Sequence, residues 1–487
     1  MDSQIHKIHQ ELVNKEISCT SLVQEKLNLL KQNTHNSVNS LLEEIALTLA
    51  KKVDDKIENG QEIGLLEGIP FGIKDVYMLQ GTYTTASSDL LKNYKAAYTA
   101  TAIQKLLDAG AIPLVKENCD SFGHGSSSEN TIFGAVKNAI NPDLVAGGSS
   151  GGSAVNVAKD CTVFSIGGDT GGSIRQPAGY NKIYGFKPTY GRVSRYGLMA
   201  YASSTDCVGP IAKSIEDVRI VLNVMSGKDI RDQTSYVSEA VSADSKATPI
   251  KTVGYYKNFI DSDAIGKEIQ TDFLTTLEKI KAQGIAVRAL DFFDADILVS
   301  TYYTLAMAET ASNLSRLDGT NYGARIEGSN LKETYSITRS ENFSEETKRR
   351  VVGGNQVLSQ GFSDEIYLKA QNLRNQISAR FTEDFKEVDI ILSPVTPASP
   401  PKIGDSLQDP LAMYLSDAYT VGFSLGGLPA LTIPKGTSDS LFGQEQNSLD
   451  FVFKRTCVSN PIINSKSWTF KISCIFANSI IKFRLKS

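Results

Sequence analysis

Apolar residues recur at helical spacing over the first sixty positions: Leu22, Val23, Leu27, Leu29 and Leu30 fall along one stripe, and Leu41, Leu42, Ile45 and Leu49 along another. A repeat of three to four residues places side chains on one helical face. Residues 1–60 are therefore read as an N-terminal helical segment packed on a larger core, and no reactive cluster accompanies it. From Gly68 the texture changes. Gly-Ile-Pro-Phe-Gly-Ile-Lys-Asp-Val is a short apolar run broken by Pro70 and Gly72, the mark of a buried extended segment, and Lys74 lies inside it.

Further on, Ala102, Ile103, Leu106 and Leu107 make one helical face, Gly110 stops it, and Ala111–Val115 reads as a strand. The order returns twice. Ser214 opens a helix bearing Ile215, Val218, Leu222 and Met225 that Gly227 closes; Phe273, Leu274, Leu277 and Ile280 precede Gly284 and an extended run at 285–290. Val388–Leu392 is a further buried strand, followed by a loop marked by Pro394, Pro397, Pro400 and Pro401. Helix, glycine and strand in this order predict an α/β fold with a central mixed β-sheet flanked by helices on both faces. No repeat of fixed period and no low-complexity linker divides the chain.

Composition narrows the class. The 487 residues are 41% apolar and 21% charged, as in a globular enzyme. Six cysteines are scattered without a C-x-x-C, which suggests neither a disulfide framework nor a zinc site. The N-terminus lacks the apolar run of a signal peptide, and Ile472–Ile481 is far short of the roughly 20 residues that span a bilayer, so a cytoplasmic protein with no membrane contact is expected. The net charge is −4, but residues 451–487 carry seven bases and no acid, which leaves −11 for the rest. So acidic a body is a poor platform for phosphates.

Chemistry concentrates between Gly147 and Arg175, where G-G-S-S-G-G-S and G-G-D-T-G-G-S-I-R present Ser149 and Ser173 on glycine-rich turns. Gly147–Gly151 satisfies G-x-S-x-G, which points to Ser149 as a nucleophile, but the hydrolases that use this turn need a histidine downstream. All four histidines, His6, His9, His35 and His124, lie upstream. A phosphate-binding loop would require a G-K-[ST] that is absent. Ser329-Asn-Leu-Lys332 lacks the companion motifs of the β-lactamases, and Cys119 with His124 is a weak thiol pair. A serine without histidine needs another base, and a lysine serves only if burial or nearby positive charge lowers its pKa. Lys74 is the best-placed candidate, with escape to solvent or pairing with Asp75 as the plainer reading. Lys348-Arg349-Arg350 reads either as a solvated helix face or as an arginine aimed at a carboxylate.

With Lys74 in G-I-K-D and the serines in G-G-S-S-G-G-S and G-G-S-I-R-Q-P, the chain resembles the amidase signature family of serine amidohydrolases. The likeness extends through Gly185-Phe-Lys-Pro-Thr-Tyr-Gly-Arg, Ala202-Ser-Ser-Thr-Asp and Ser312-Asn-Leu-Ser-Arg-Leu-Asp-Gly, over about residues 5–437. The combination looks like that of the glutamine-hydrolysing subunits of tRNA-dependent amidotransferases. The resemblance implies a Ser-Ser-Lys triad with Ser173 as nucleophile, Ser149 as relay and Lys74 as base. It also implies an oxyanion hole at Thr170, Gly171 and Gly172, with the N–H of Ser173 contributing. It aligns Arg350, with Arg349 one residue away, and Asp417 with the charged ends of glutamine, and Ser126–Ser128 and Tyr302 or Tyr303 with the rest of the pocket.

The resemblance further implies a GatB-like partner that binds tRNA and consumes ATP and Mg, a small GatC-like partner, and no metal or cofactor on this chain. A stand-alone amidase or a silent assembly partner are the rival readings. The catalytic domain is expected over 61–437, with 438–487 an atypical tail, diverged or frameshifted, that leaves a strand of the sheet unpaired.

Overall fold

Ser3 starts the helix Gln4–Val13 by accepting from His6 N at 3.1 Å, and its hydroxyl donates to Asp217 Oδ1 at 2.6 Å, so one cap also ties the N-terminus to the helix Ile215–Met225. Asp54 of the helix Glu43–Glu58 accepts from Cys19 N and Thr20 N, anchoring the start of the helix Cys19–Lys31. Ile5, Leu12, Val23 and Leu27 are fully buried as a result. The computed structural model describes residues 3–241, 250–434 and 448–453.

The second apolar stripe does not form one helix. Val38–Leu41 is a strand (β1), and the helix begins only at Glu43, because β1 pairs antiparallel with Ile112–Glu117 (β3) and Leu42 N donates to Leu114 O at 2.8 Å. Backbone partners at a sheet edge override a local periodicity worth a few tenths of a kcal/mol per residue.

The remaining strands among the described residues are β2 (Pro70–Lys74), β4 (Phe164–Asp169), β5 (Tyr184–Lys187), β6 (Cys207–Ala212), β7 (Thr252–Tyr256), β8 (Ala286–Leu290), β9 (Ile390–Pro394), β10 (Ala430–Pro434) and β11 (Ser448–Phe453). They form one sheet in the order β1-β3-β2-β4-β6-β5-β10-β11-β9-β7-β8. β3, β2 and β4 run parallel, as do β9, β7 and β8, while the strands between are antiparallel. This is the mixed α/β sheet expected, with helices packed against it.

β11 corrects one expectation. The residues after Thr437 do not leave a strand unpaired: 448–453 insert between β9 and β10, antiparallel to both, from Leu449↔Pro394 and Pro434↔Ser448 to Phe453↔Ile390. The tail from 454 onward, with Trp468, lies outside the described residues.

Two parallel strands position the chemistry. β2 and β4 are neighbours, held by Phe71 stacked on Phe164 with ring centroids 5.2 Å apart, and their C-terminal ends deliver Lys74 and the turn after Asp169 to one edge of the sheet. Crevices outside the carboxyl ends of parallel strands are where such sheets bind ligands.

Candidate active site

Lys74 ends β2 with its side chain 2% exposed, and its Nζ donates to Ser149 Oγ at 2.7 Å, Ser150 Oγ at 3.0 Å and Gly168 O at 3.4 Å. Burial lowers its pKa from 10.5, against the opposing pull of Cys119, Asp120, Asp169 and Asp206. The pairing with Asp75 does not occur: that carboxylate is ion-paired with buried Lys116 at 2.8 Å and accepts from Asn39 and Thr85. Lys74 has no ion pair among the described residues, so the neutral amine is the form its surroundings favour.

Ser149 precedes the helix Gly151–Ala158, and the peptide joining it to Gly148 is cis. Ser173 lies opposite, 8% exposed, and Ser150 N donates to Ser173 O at 3.1 Å, which joins the two glycine-rich turns through their backbones. The structure brings Lys74 and Ser149 into hydrogen bond; Ser173 Oγ forms none among the described residues.

The second turn is held by its flanks. Asp169 accepts from Arg175 Nε and Nη2, both at 3.0 Å, and from Ile174 N at 3.1 Å, so a buried, bidentate pair clamps residues 170–173 between its ends. Burial alone would raise the Asp169 pKa, but Arg175, Lys187 and the Ile174 N–H together outweigh it and hold the carboxylate below its usual range. Thr170 Oγ1 donates to Asp206 Oδ1 at 2.8 Å, and Thr420 Oγ1 donates to Gly171 O at 2.5 Å. A Cβ on Gly171 would lie 2.7 Å from the Tyr302 ring, and one on Gly172 would lie 2.5 Å from Thr420 Oγ1. Both positions therefore require glycine. The N–H groups of Gly171, Gly172 and Ser173 have no acceptor among the described residues, which leaves three donors free for a developing oxyanion.

Asp206 also accepts from Tyr201 N and Ala202 N, and burial pushes its pKa up to about 6. It thus ties the turn of residues 170–173 to the loop carrying Tyr201. Beyond that loop stands a pair of opposite charges. Asp417 accepts from Ser126 Oγ at 2.7 Å and Tyr303 Oη at 2.8 Å, and burial raises its pKa to about 6. Arg350, 2% exposed, places its guanidinium carbon 5.2 Å from the centre of the same Tyr303 ring. Arg349 is the outward one of the two arginines, its side chain 45% exposed. Thr420 links the two poles, since its hydroxyl lies 3.0 Å from Asp417 O as well as against Gly171.

The other sequence candidates fall elsewhere. Ser128 is fully buried beneath the first glycine-rich turn, where its Oγ accepts from Gly151 N at 3.1 Å. Tyr302 packs on Gly171 and reaches Tyr201 Oη at 3.4 Å. Cys119 Sγ lies 3.4 Å from Ser87 Oγ, while His124 faces Thr347 Oγ1 at 3.1 Å and the Tyr201 ring, so they form no thiol–imidazole pair. Burial holds His124 well below its ordinary pKa, hence neutral. Ser150, Asp206, Thr420, Tyr201 and Glu346 were missed as site residues. Ser150 and Asp206 stood in noted motifs without being singled out, and Thr420, three residues past Asp417, carried no signal.

The crevice around Lys74, Ser149, Thr170 and Asp206 is about 20 Å³, and a separate cleft of about 780 Å³ is lined in part by Ser126, the partner of Asp417, and by its chain neighbours Ser416 and Ala418. The small space is where buried Lys74, Ser149 and the turn that begins at Thr170 converge.

The model for the Amidase family matches residues 19–454. The chain is 41% identical over 441 residues to the A subunit of a glutamyl-tRNA(Gln) amidotransferase from Ruthia magnifica subsp. Calyptogena magnifica, covering 90% of this chain and 91% of that one. It is 43% identical over 397 residues to the protein of the same name from Lachnospira eligens, covering 81% and 82%. The crystal structure of the corresponding glutamyl-tRNA(Gln) amidotransferase chain from Thermotoga maritima superposes with a TM-score of 0.73 at 30% identity, over 93% of this chain and 92% of that one.

Proposed function

The chain belongs to the amidase family, and on that premise we propose that it is the glutamine-hydrolysing subunit of a tRNA-dependent amidotransferase, working in the cytoplasm. The observation that carries this reading is the meeting of two features: a buried lysine bonded to a serine beside free backbone N–H groups, and a buried arginine and aspartate sharing one tyrosine. The first cleaves amides. The second suits an amino acid, since guanidinium grips an α-carboxylate and carboxylate an α-ammonium. A stand-alone amidase for an apolar amide leaves Arg350 and Asp417 without a role.

Asp417 with Ser126 and Tyr303 receives the ammonium of glutamine, and Arg350 the carboxylate. Its side-chain carboxamide then reaches the narrow crevice. Ser173 Oγ attacks the amide carbon as its proton passes to Ser149 Oγ, whose own proton moves to the neutral Lys74 amine. Positive charge thus forms on Lys74 as negative charge forms on the carbonyl oxygen, which the N–H groups of Gly171, Gly172 and Ser173 receive. The proton returns through Ser149 to the leaving nitrogen, the C–N bond breaks, and ammonia departs. Water then attacks the glutamyl ester by the same route, releasing glutamate and restoring Ser173.

Ammonia passes to a GatB-like partner that binds tRNA and uses ATP and Mg to activate glutamyl-tRNA(Gln), or aspartyl-tRNA(Asn), with a GatC-like protein bracing the pair. The acidic charge of residues 1–450 supports assigning tRNA to the partner. The test is glutamine-dependent ammonia release by the assembled complex with ATP, Mg and glutamyl-tRNA(Gln). Amidated tRNA formed with glutamine supports the reading; a complex that releases no ammonia from glutamine rejects it.

A further inference from the structure

Glu346 and Arg350 stand one turn apart on the helix Glu345–Leu358, each 2% exposed, with the acid N-terminal to the base as helices favour. Glu346 Oε1 accepts from Arg350 Nε at 2.7 Å and from Tyr414 Oη at 2.9 Å, and Oε2 accepts from Arg349. Arg350 Nη1 donates to Tyr201 Oη. The guanidinium carbon lies 5.4, 5.2 and 5.6 Å from the ring centres of Tyr201, Tyr303 and Tyr414, within cation–π range of all three.

Nε and Nη1 are thereby engaged, and Nη2 has no partner among the described residues. An arginine side chain has several rotatable bonds, and ordering it at the moment of binding weakens affinity. Glu346 removes that freedom in advance.

We propose that Glu346 is a positioning residue for substrate recognition, holding Arg350 so that Nη2 meets the α-carboxylate of the amino-acid substrate. This rests on the reading of the site as one that takes glutamine. Reach rather than charge is what Glu346 contributes. Glu346→Asp keeps the charge but draws the carboxylate back from Nε, whereas Glu346→Gln keeps an oxygen at the same reach and drops the charge.

The experiment measures KM and kcat of the assembled complex for glutamine and for 4-aminobutanamide, which is glutamine without its α-carboxylate. In Glu346→Asp the KM for glutamine is expected to rise by about tenfold with kcat within about threefold, a change equivalent to about 1.4 kcal/mol of binding. In the same variant 4-aminobutanamide is processed as by the parent. Glu346→Gln is expected to stay within about threefold of the parent on both substrates. An unchanged KM for glutamine in Glu346→Asp, or equal losses on both amides, overturns the proposal. A parent complex inactive on glutamine overturns the functional reading itself, so the two failures are distinct.

Discussion

Lys74 Nζ lies 2.7 Å from Ser149 Oγ, while the carboxylate beside it in sequence, Asp75, turns away to Lys116. The lysine is left buried, without a counter-ion among the described residues and with a lowered pKa. A base must be neutral to accept a proton, and the neutral fraction grows as pH rises through that lowered value. kcat/KM for glutamine should therefore climb with pH below 10.5, and Lys74→Ala should cost about a thousandfold or more, as loss of one member of a catalytic triad does. A flat pH profile would argue against lysine as the base.

The same lysine makes stability depend on pH. Between its lowered pKa and 10.5, the unfolded chain holds a proton on Lys74 that the folded chain lacks, so unfolding free energy rises with pH, by up to about 1.4 kcal/mol per unit. Lys74→Met lacks that slope. Denaturation midpoints of the two proteins, measured at several pH values, should shift in favour of the parent as pH increases; a constant difference would contradict burial as the cause.

Gly171 bears directly on the turn proposed to hold the oxyanion. A methyl group there meets the Tyr302 ring at 2.7 Å and forces the turn to move. Gly171→Ala should lower kcat by about a hundred- to a thousandfold, the cost of losing one oxyanion donor, and stability by about 1–3 kcal/mol from overpacking. Steady-state kinetics with thermal unfolding checks both, and near-parental kcat would place the oxyanion elsewhere.

β11 yields a prediction about chain length. It supplies a ladder to β9 and another to β10, so a chain ending at Pro434 exposes two strand edges inside the sheet, whereas one ending just after Phe453 keeps both ladders. The shorter chain is expected to be insoluble and the longer one to fold. Hydrogen exchange should find the amides of 449–453 as protected as those of β9, and rapid exchange there would contradict the pairing.

The sheet was legible where strands carry their own punctuation. Pro70–Lys74 between Gly68 and Asp75, and Ile112–Glu117 after Gly110, show in the sequence because glycine stops and apolar runs are local. Val38–Leu41 was hidden, since Leu41, Leu42, Ile45 and Leu49 happen to match a helical repeat and only the distant edge of β3 makes the first four residues a strand. β11 was hidden for the same reason: its partners lie 14 to 63 residues away in sequence. Ser149, Ser173 and Lys74 stood out through their glycines and an incongruous charge in an apolar run. The network behind them did not. Asp206 reaching Thr170, Thr420 reaching Gly171, and Glu346 reaching Arg350 are side-chain contacts, the first two joined only by the fold.

The most direct test of the mechanism is to find the covalent intermediate. Protein incubated with glutamine, quenched in acid within a turnover and digested should yield a peptide spanning Ser173 heavier by one glutamyl group, with the ester on Ser173 and none on Ser149. Ser173→Ala should yield no adduct and no ammonia. A glutamyl group on Ser149 or on any other residue, or steady turnover by Ser173→Ala, would contradict the assignment of the nucleophile.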